Sequence, residues 1–153
     1  MNYVVKVRTL PPQHTVVTRV ITHESAVVAD DLKALLVVRD YLRELEVLPA
    51  SPPLVRNLVL KRDYMEQECG YVVPAPVPGR GGIQPGRLPG GRVAVTWHTG
   101  PYELLYRAFS FLRGWMREHG YVEVGPQWEL LWAGPDEGLS PEQYKTEVLW
   151  PFR

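Results

Sequence analysis

Apolar and polar residues alternate from Tyr3 to Val7, with Tyr3, Val5 and Val7 on one side and Lys6 and Arg8 on the other, the period of a half-buried strand. Leu10-Pro11-Pro12 closes it, and the β-branched run from Thr15 to Ile21 predicts a second strand. Val28, Leu32, Leu35, Val38, Leu42 and Leu45 then recur at spacings of 4, 3, 3, 4 and 3, one face of a long helix. Ser25 stands where its N-cap is expected, and Asp30 and Asp31 fall in its early turns, where the helix dipole favours negative charge. Pro49, Pro52 and Pro53 end the helix; Leu54 to Lys61 and Cys69 to Val73 read as strands. The result is a strand-helix-strand-strand unit.

From Pro74 to Gly91 there are 5 Pro and 6 Gly in 18 residues, a composition that reads as a linker or long surface loop. Beyond it the same order returns. Arg92 to His98 is a strand, Gly100-Pro101 a helix start, and Leu105, Ala108, Leu112 and Trp115 the buried stripe, with Gly120 as the stop. Gln127 to Trp132 and Lys145 to Trp150 are strands flanking a loop from Gly134 to Pro141. Leu10-Pro11 echoes Leu88-Pro89, and Tyr71-Val72-Val73-Pro74 echoes Val148-Leu149-Trp150-Pro151, as a duplication would leave them. The predicted architecture is α+β: one domain, 1–153, made of a tandem pair of strand-helix-strand-strand modules, 1–76 and 92–153, joined by the linker 77–91. Each module is expected to have an antiparallel sheet with one long helix, with a ligand cleft at the junction.

Charge narrows the function. Lys plus Arg equals 17, as does Asp plus Glu, so binding nucleic acid through its phosphates is disfavoured. Cys69 is the only cysteine, which excludes a disulfide framework and a multi-cysteine zinc site. No apolar run reaches the length of a membrane span and no targeting signal is visible, so a cytoplasmic chain is expected. Gly79 to Gly82 lacks the Lys-Ser/Thr ending of a phosphate loop, and His14, His23, His98 and His119 include no pair at helical ligand spacing. There is no Gly-x-Ser-x-Gly elbow either, so neither metal, cofactor nor nucleophilic triad is expected.

What remains is aromatic. The chain has 5 Trp and 8 Tyr, and several flank glutamates: Trp97-His98-Thr99-Gly100-Pro101-Tyr102-Glu103, Gly125-Pro126-Gln127-Trp128-Glu129, and Tyr144-Lys145-Thr146-Glu147 running to Trp150-Pro151. These runs, with Trp115 followed by Gly120-Tyr121, resemble the GyrI-like small-molecule-binding family, the AraC-type bacterial effector-binding domain. The resemblance implies a pocket for lipophilic, often cationic, small molecules, with a strand glutamate and aromatic walls. Glu129 and Glu147 are the matching glutamates, with Tyr102, Trp97, Trp128, Trp150 and Tyr106 as aromatic contacts. A carboxylate among such rings is poorly solvated, and an organic cation compensates its charge while stacking on the rings. The sequence departs from the family at Leu131, where a Tyr often stands.

The expected role is that of a sensor or sequestering protein acting without a DNA-binding domain. Two other roles stay open. One is a hydrolase of strained, cyclopropane-bearing natural products, with Glu147 as its catalytic group. The other is a protein-interaction module whose partner is a regulator or DNA gyrase. The residues themselves also admit plainer duties. Glu129 and Glu147 fit solvent-facing strand positions, Tyr102 and Tyr106 fit helix packing, and Trp97, Trp128 and Trp150 fit the core. Trp115 and Trp132 read as core, and His98 as a hydrogen-bond partner at the helix start.

Overall fold

The computed structural model describes residues 3–153. Its regular elements are β1 (Lys6–Leu10), β2 (Gln13–Thr22), α1 (Val27–Glu44), β3 (Leu54–Leu60), β4 (Met65–Val73), β5 (Ile83–Leu88), β6 (Gly91–Thr99), α2 (Tyr106–Glu118), β7 (Trp128–Ala133) and β8 (Lys145–Pro151). The fold is α+β, and its elements gather into two compact units. The first is Pro12–Pro89; the second combines residues 3–11 with Gly90–Arg153.

The two units have one plan. In the first the strand order is β3-β4-β2-β5, antiparallel, with α1 packed on β2 and β4. In the second it is β7-β8-β6-β1, again antiparallel, with α2 packed on β6 and β8. The outermost strand of each plan comes from an unexpected place. β1 precedes β2 in the chain but pairs with β6, and β5 precedes β6 but pairs with β2. The registers match: Leu10 lies opposite Gly91 and Leu88 opposite Gln13, each the residue three positions past the other leucine.

The structure therefore differs from the expected boundaries at two points. β1, read as the opening of the first module, lies in the second unit, and β5 falls inside the segment read as linker. Composition misleads there because the few apolar side chains are buried: Val77, Ile83 and Leu88 are all in the core. Pro85 lies on an outermost strand, the place in a sheet where proline is tolerated.

α1 starts after Ala26 with no side-chain cap, and Ser25, expected as the N-cap, has its Oγ 2.9 Å from His23 Nδ1 instead. Its buried face is Asp31, Ala34, Leu35, Val38, Tyr41 and Leu42; Leu45, predicted in the stripe, is exposed past the helix end. Val16, Val38, Tyr41, Leu42, Tyr71, Val73, Val77 and Ile83 form the first unit's core. In the second unit a 3-10 turn, Tyr102–Leu104, precedes α2, and Met116 rather than Trp115 completes the buried stripe of Ala108 and Leu112. Gly120, at φ 71°, ends α2 as predicted, and Tyr121 N–H donates back to Met116 O at 2.9 Å. Ala94, Leu105, Ala108, Leu112, Met116, Val148, Trp150 and Phe152 pack as this unit's core.

The first unit also buries an acid, among the polar residues of its interior. Asp31 is 9% exposed, and Cys69 Sγ lies 3.5 Å from its Oδ1. With its amide oriented by its neighbours, Gln67 donates to the same oxygen at 2.6 Å and meets the Asn57 side chain at 2.9 Å. Burial raises the Asp31 carboxyl from its ordinary 3.8 to about 7, against the opposing pull of the Cys69 and Gln67 hydrogen bonds.

This fixes a sign for stability. The folded chain holds the Asp31 proton more tightly than the unfolded chain, so its contribution is complete below pH 4 and is lost as pH rises to about 7. Between pH 5 and 7 the wild type is expected to lose about 2 kcal/mol relative to Asp31→Asn, whose amide stays neutral. Thermal melts of both proteins across that range check it; parallel curves would show that Asp31 does not titrate there.

Candidate functional site

The second unit's site residues are sorted by the ladder around β8. Trp97 and Leu130 both lie opposite Glu147, whereas Glu129 lies opposite Val148. Residues directly opposite in an antiparallel pair share a face, and successive residues alternate. Val148 packs in the core with α2, so Glu129 belongs to the α2 face and Glu147 to the other. The two glutamates expected in one pocket are thus on opposite faces of their sheet.

On the face away from α2, Glu147 is 4% exposed and both its oxygens are engaged. Trp132 Nε1 donates to Oε1 at 3.0 Å, and Arg8 on β1 donates from Nη1 to Oε2 at 3.1 Å. Trp132 also meets Trp97, their ring centroids 6.1 Å apart and tilted by 44°. Both tryptophans are about half exposed, at 47% for Trp97 and 51% for Trp132. The arrangement is a carboxylate removed from water beside two tryptophans that are each about half in it. Trp132, read as core, lies two residues beyond Leu130 on the face of β7 that carries Glu147's partner, at the point where the β7–β8 register shifts between Leu131 and Ala133. Arg8 entered the sequence reading only as the polar side of a strand. The signal for both was parity: Trp128, Leu130 and Trp132 alternate together, and Arg8 shares a side with Lys6.

On the α2 face Tyr102 stands 4.9 Å from Tyr144, ring to ring. Its hydroxyl is buried and has no hydrogen-bond partner among the described residues. Burial raises the Tyr102 hydroxyl to about 12, with Tyr144 and the carboxylates of Glu129, Glu137 and Asp136 pushing the same way. Glu129 is itself buried. Gly134 leaves room for that hydroxyl: a Cβ there would sit 2.6 Å from it, and the next ring carbon is at 3.9 Å. Glu137 holds the Gly134 N–H at 2.7 Å.

The remaining candidates are dispersed. Trp128 is fully buried on the Glu147 side of β7. Trp150 is in the core under α2, its Nε1 donating to Gly125 O at 3.2 Å and Arg113 4.7 Å above its ring. Tyr106 is exposed on α2. His98 is buried and, as expected, anchors the helix start: Nε2 lies 3.2 Å from Pro101 O, and Nδ1 2.8 Å from the Tyr3 hydroxyl. Burial lowers its pKa, consistent with a neutral ring donating from Nε2. Among the described residues no group of three His, Cys, Asp or Glu is placed to hold a metal ion, and no helix is long and apolar enough to cross a membrane.

Comparison with known proteins adds a family. Residues 60–153 match the GyrI-like small molecule binding domain. No curated protein matches the sequence. Among solved structures, the C-terminal domain of EcmrR superposes with a TM-score of 0.82 at 19% identity, covering 100% of this chain and 99% of that one. EcmrR in its complex with DNA gives 0.82 at 17% identity, covering 99% of this chain and 57% of that one, so this chain spans little more than half of it. SAV2435, solved with tetraphenylphosphonium bound, gives 0.67 at 12% identity, with 100% and 94% coverage. At such identities the likeness is one of fold.

The Tyr102–Gly134 contact makes a paired prediction. Gly134→Ala is expected to destabilise the protein by about 1–3 kcal/mol, through a clash with the buried Tyr102 hydroxyl. Tyr102→Phe alone should be neutral or stabilising by up to about 1 kcal/mol, since it removes an unpartnered buried group. The double variant should recover most of the loss, as read by urea unfolding; additive effects would show that the clash lies elsewhere.

Proposed function

The chain belongs to the GyrI-like family of small-molecule-binding domains, and from that premise we propose that it takes up lipophilic ligands, organic cations among them, on the Trp97–Trp132–Glu147 face of its second unit. The observation that carries this reading is a buried carboxylate hydrogen-bonded to one half-exposed indole, Trp132, and lying cross-strand from a second, Trp97, that meets the first. Exposed tryptophan faces attract apolar and planar molecules through area burial and attract cations through the ring quadrupole. A desolvated carboxylate adds selectivity for positive charge, because charge interactions weaken less there than in bulk water. Two indoles meeting at an angle accept many shapes, so the ligand class is defined by surface and charge more than by outline. SAV2435, of like fold, was solved with tetraphenylphosphonium, which makes that ion the first probe for this chain.

On this reading the glutamates part company. Glu147 is the charge partner, with Trp97 and Trp132 as walls, while Glu129, Tyr102 and Trp150 serve the interior between the sheet and α2. The protein acts as a sensor or sequestering module, and any macromolecular partner reads the state of the loaded site.

Calorimetric titration with tetraphenylphosphonium tests it. Glu147→Gln is expected to weaken binding about tenfold or more, the size of one charge-assisted contact, while Glu129→Gln changes it by less than about threefold. Trp97→Ala should weaken the neutral analogue triphenylphosphine oxide and the cation alike. Equal loss from both glutamate variants, or none from Glu147→Gln, would overturn the assignment.

A further inference from the structure

Glu147 does not wait for a ligand with its charge uncompensated. Its side chain is 6% exposed and already paired at 3.1 Å with the Arg8 guanidinium, whose own side chain is 51% exposed. The pair is unequal in a way that matters: the acid is fixed in the sheet and also held by Trp132, while the base reaches it from β1, an outermost strand with four of its five residues exposed. Releasing Arg8 returns a half-hydrated guanidinium to water. Releasing Glu147 would strand a buried carboxylate without a counter-charge, which is far less favourable.

We infer that Arg8 is an internal competitor for the ligand's positive charge, so that a cation enters the Glu147 site only by displacing the Arg8 guanidinium. This rests on the ligand site proposed above and adds the residue that sets its charge selectivity. Binding is then an exchange of one cation for another at a constant buried charge. The apparent affinity for cations is reduced by the fraction of time Arg8 occupies the carboxylate, as for any site only partly available to its ligand. A neutral lipophilic compound rests on the indoles and leaves the ion pair in place, so Arg8 narrows the margin by which cations are preferred. Lys6 offers the natural control, since it lies two positions away on the same strand face and makes no ion pair among those of the described residues.

The experiment is titration of tetraphenylphosphonium and triphenylphosphine oxide into the wild type and into Arg8→Gln, Arg8→Lys and Lys6→Gln. Arg8→Gln is expected to tighten the cation about tenfold, within the usual range of coupling between competing groups, and to leave the neutral oxide within about twofold. Arg8→Lys, which keeps the charge, should stay close to the wild type. Lys6→Gln should change neither probe by more than about twofold, because Lys6 is exposed and makes no ion pair with Glu147 among the described residues. Cation binding that is unchanged or weaker in Arg8→Gln would make Arg8 a wall and overturn the competition. Equal tightening of both probes would mean that bulk, not charge, had been removed, and equal effects of Arg8→Gln and Lys6→Gln would reduce the effect to general electrostatics; either overturns it too. If neither probe binds any of the proteins, the aromatic-glutamate site itself fails, and this inference with it.

Discussion

The second unit depends on which way each residue of β8 faces. Val148, Trp150 and Phe152 are claimed by the core beneath α2, and in a ladder with a period of two that leaves Glu147 and Leu149 to the other side. A slip of one residue would carry a carboxylate under the helix and push Val148 out, exchanging an apolar contact for an uncompensated buried charge. The core therefore pins the register, and the register places the carboxylate. From there the neighbours follow: Trp97 directly opposite on β6, Leu130 opposite on β7, and Trp132, two residues on along the same face of β7, within hydrogen-bond reach. Glu129 is one residue out of phase with this set and joins the interior with Tyr102 instead.

How much of this the sequence disclosed follows from the range of the interactions involved. The periods of α1 and α2, the alternation of β6 to β8 and the repeated Leu-Pro punctuation are local, and they were legible as two units of like order with α+β character. The exchange of β1 and β5 was not, because nothing within a strand of five or six residues says which distant strand it joins. Arg8 and Glu147 are 139 positions apart, and only the β1–β6 pairing brings them together. Asp31 was visible as a helical acid, but its burial depended on a rotation of the helical face that apolar spacing alone does not resolve. Trp132 looked like any strand tryptophan until the ladder set it beside Glu147. The glutamates were found by their aromatic neighbourhoods; their separation onto two faces required the ladder.

Asp31 and Glu147 give two answers to one problem, a carboxylate kept from water. Asp31 is met by a thiol and an amide, neutral donors that cannot cancel a charge, and its carboxyl rises to about 7 so that a proton does. Glu147 is met by an indole N–H and a guanidinium. The first solution makes a group that answers to pH, its charge met by a proton rather than by a neighbouring cation. The second makes a group whose counter-ion is a half-exposed side chain on an outermost strand, the asymmetry on which the proposed exchange rests.

That difference decides what kind of recognition the site supports. If the buried charge stays neutralised before and after binding, part of the Coulomb attraction to Glu147 is offset by the loss of the Arg8 pair, and the rest of the preference must come from what the guanidinium lacks. A lipophilic cation has apolar surface to lay against Trp97 and Trp132, whereas Arg8 leaves both indoles about half exposed while it occupies the carboxylate. Small, strongly hydrated cations gain nothing in the exchange, because they bring no such surface and must shed water to replace a partner already in place. On the proposed reading, selectivity for greasy over hydrophilic cations would thus arise from an internal ion pair that offsets the attraction common to both, leaving the aromatic surface to discriminate.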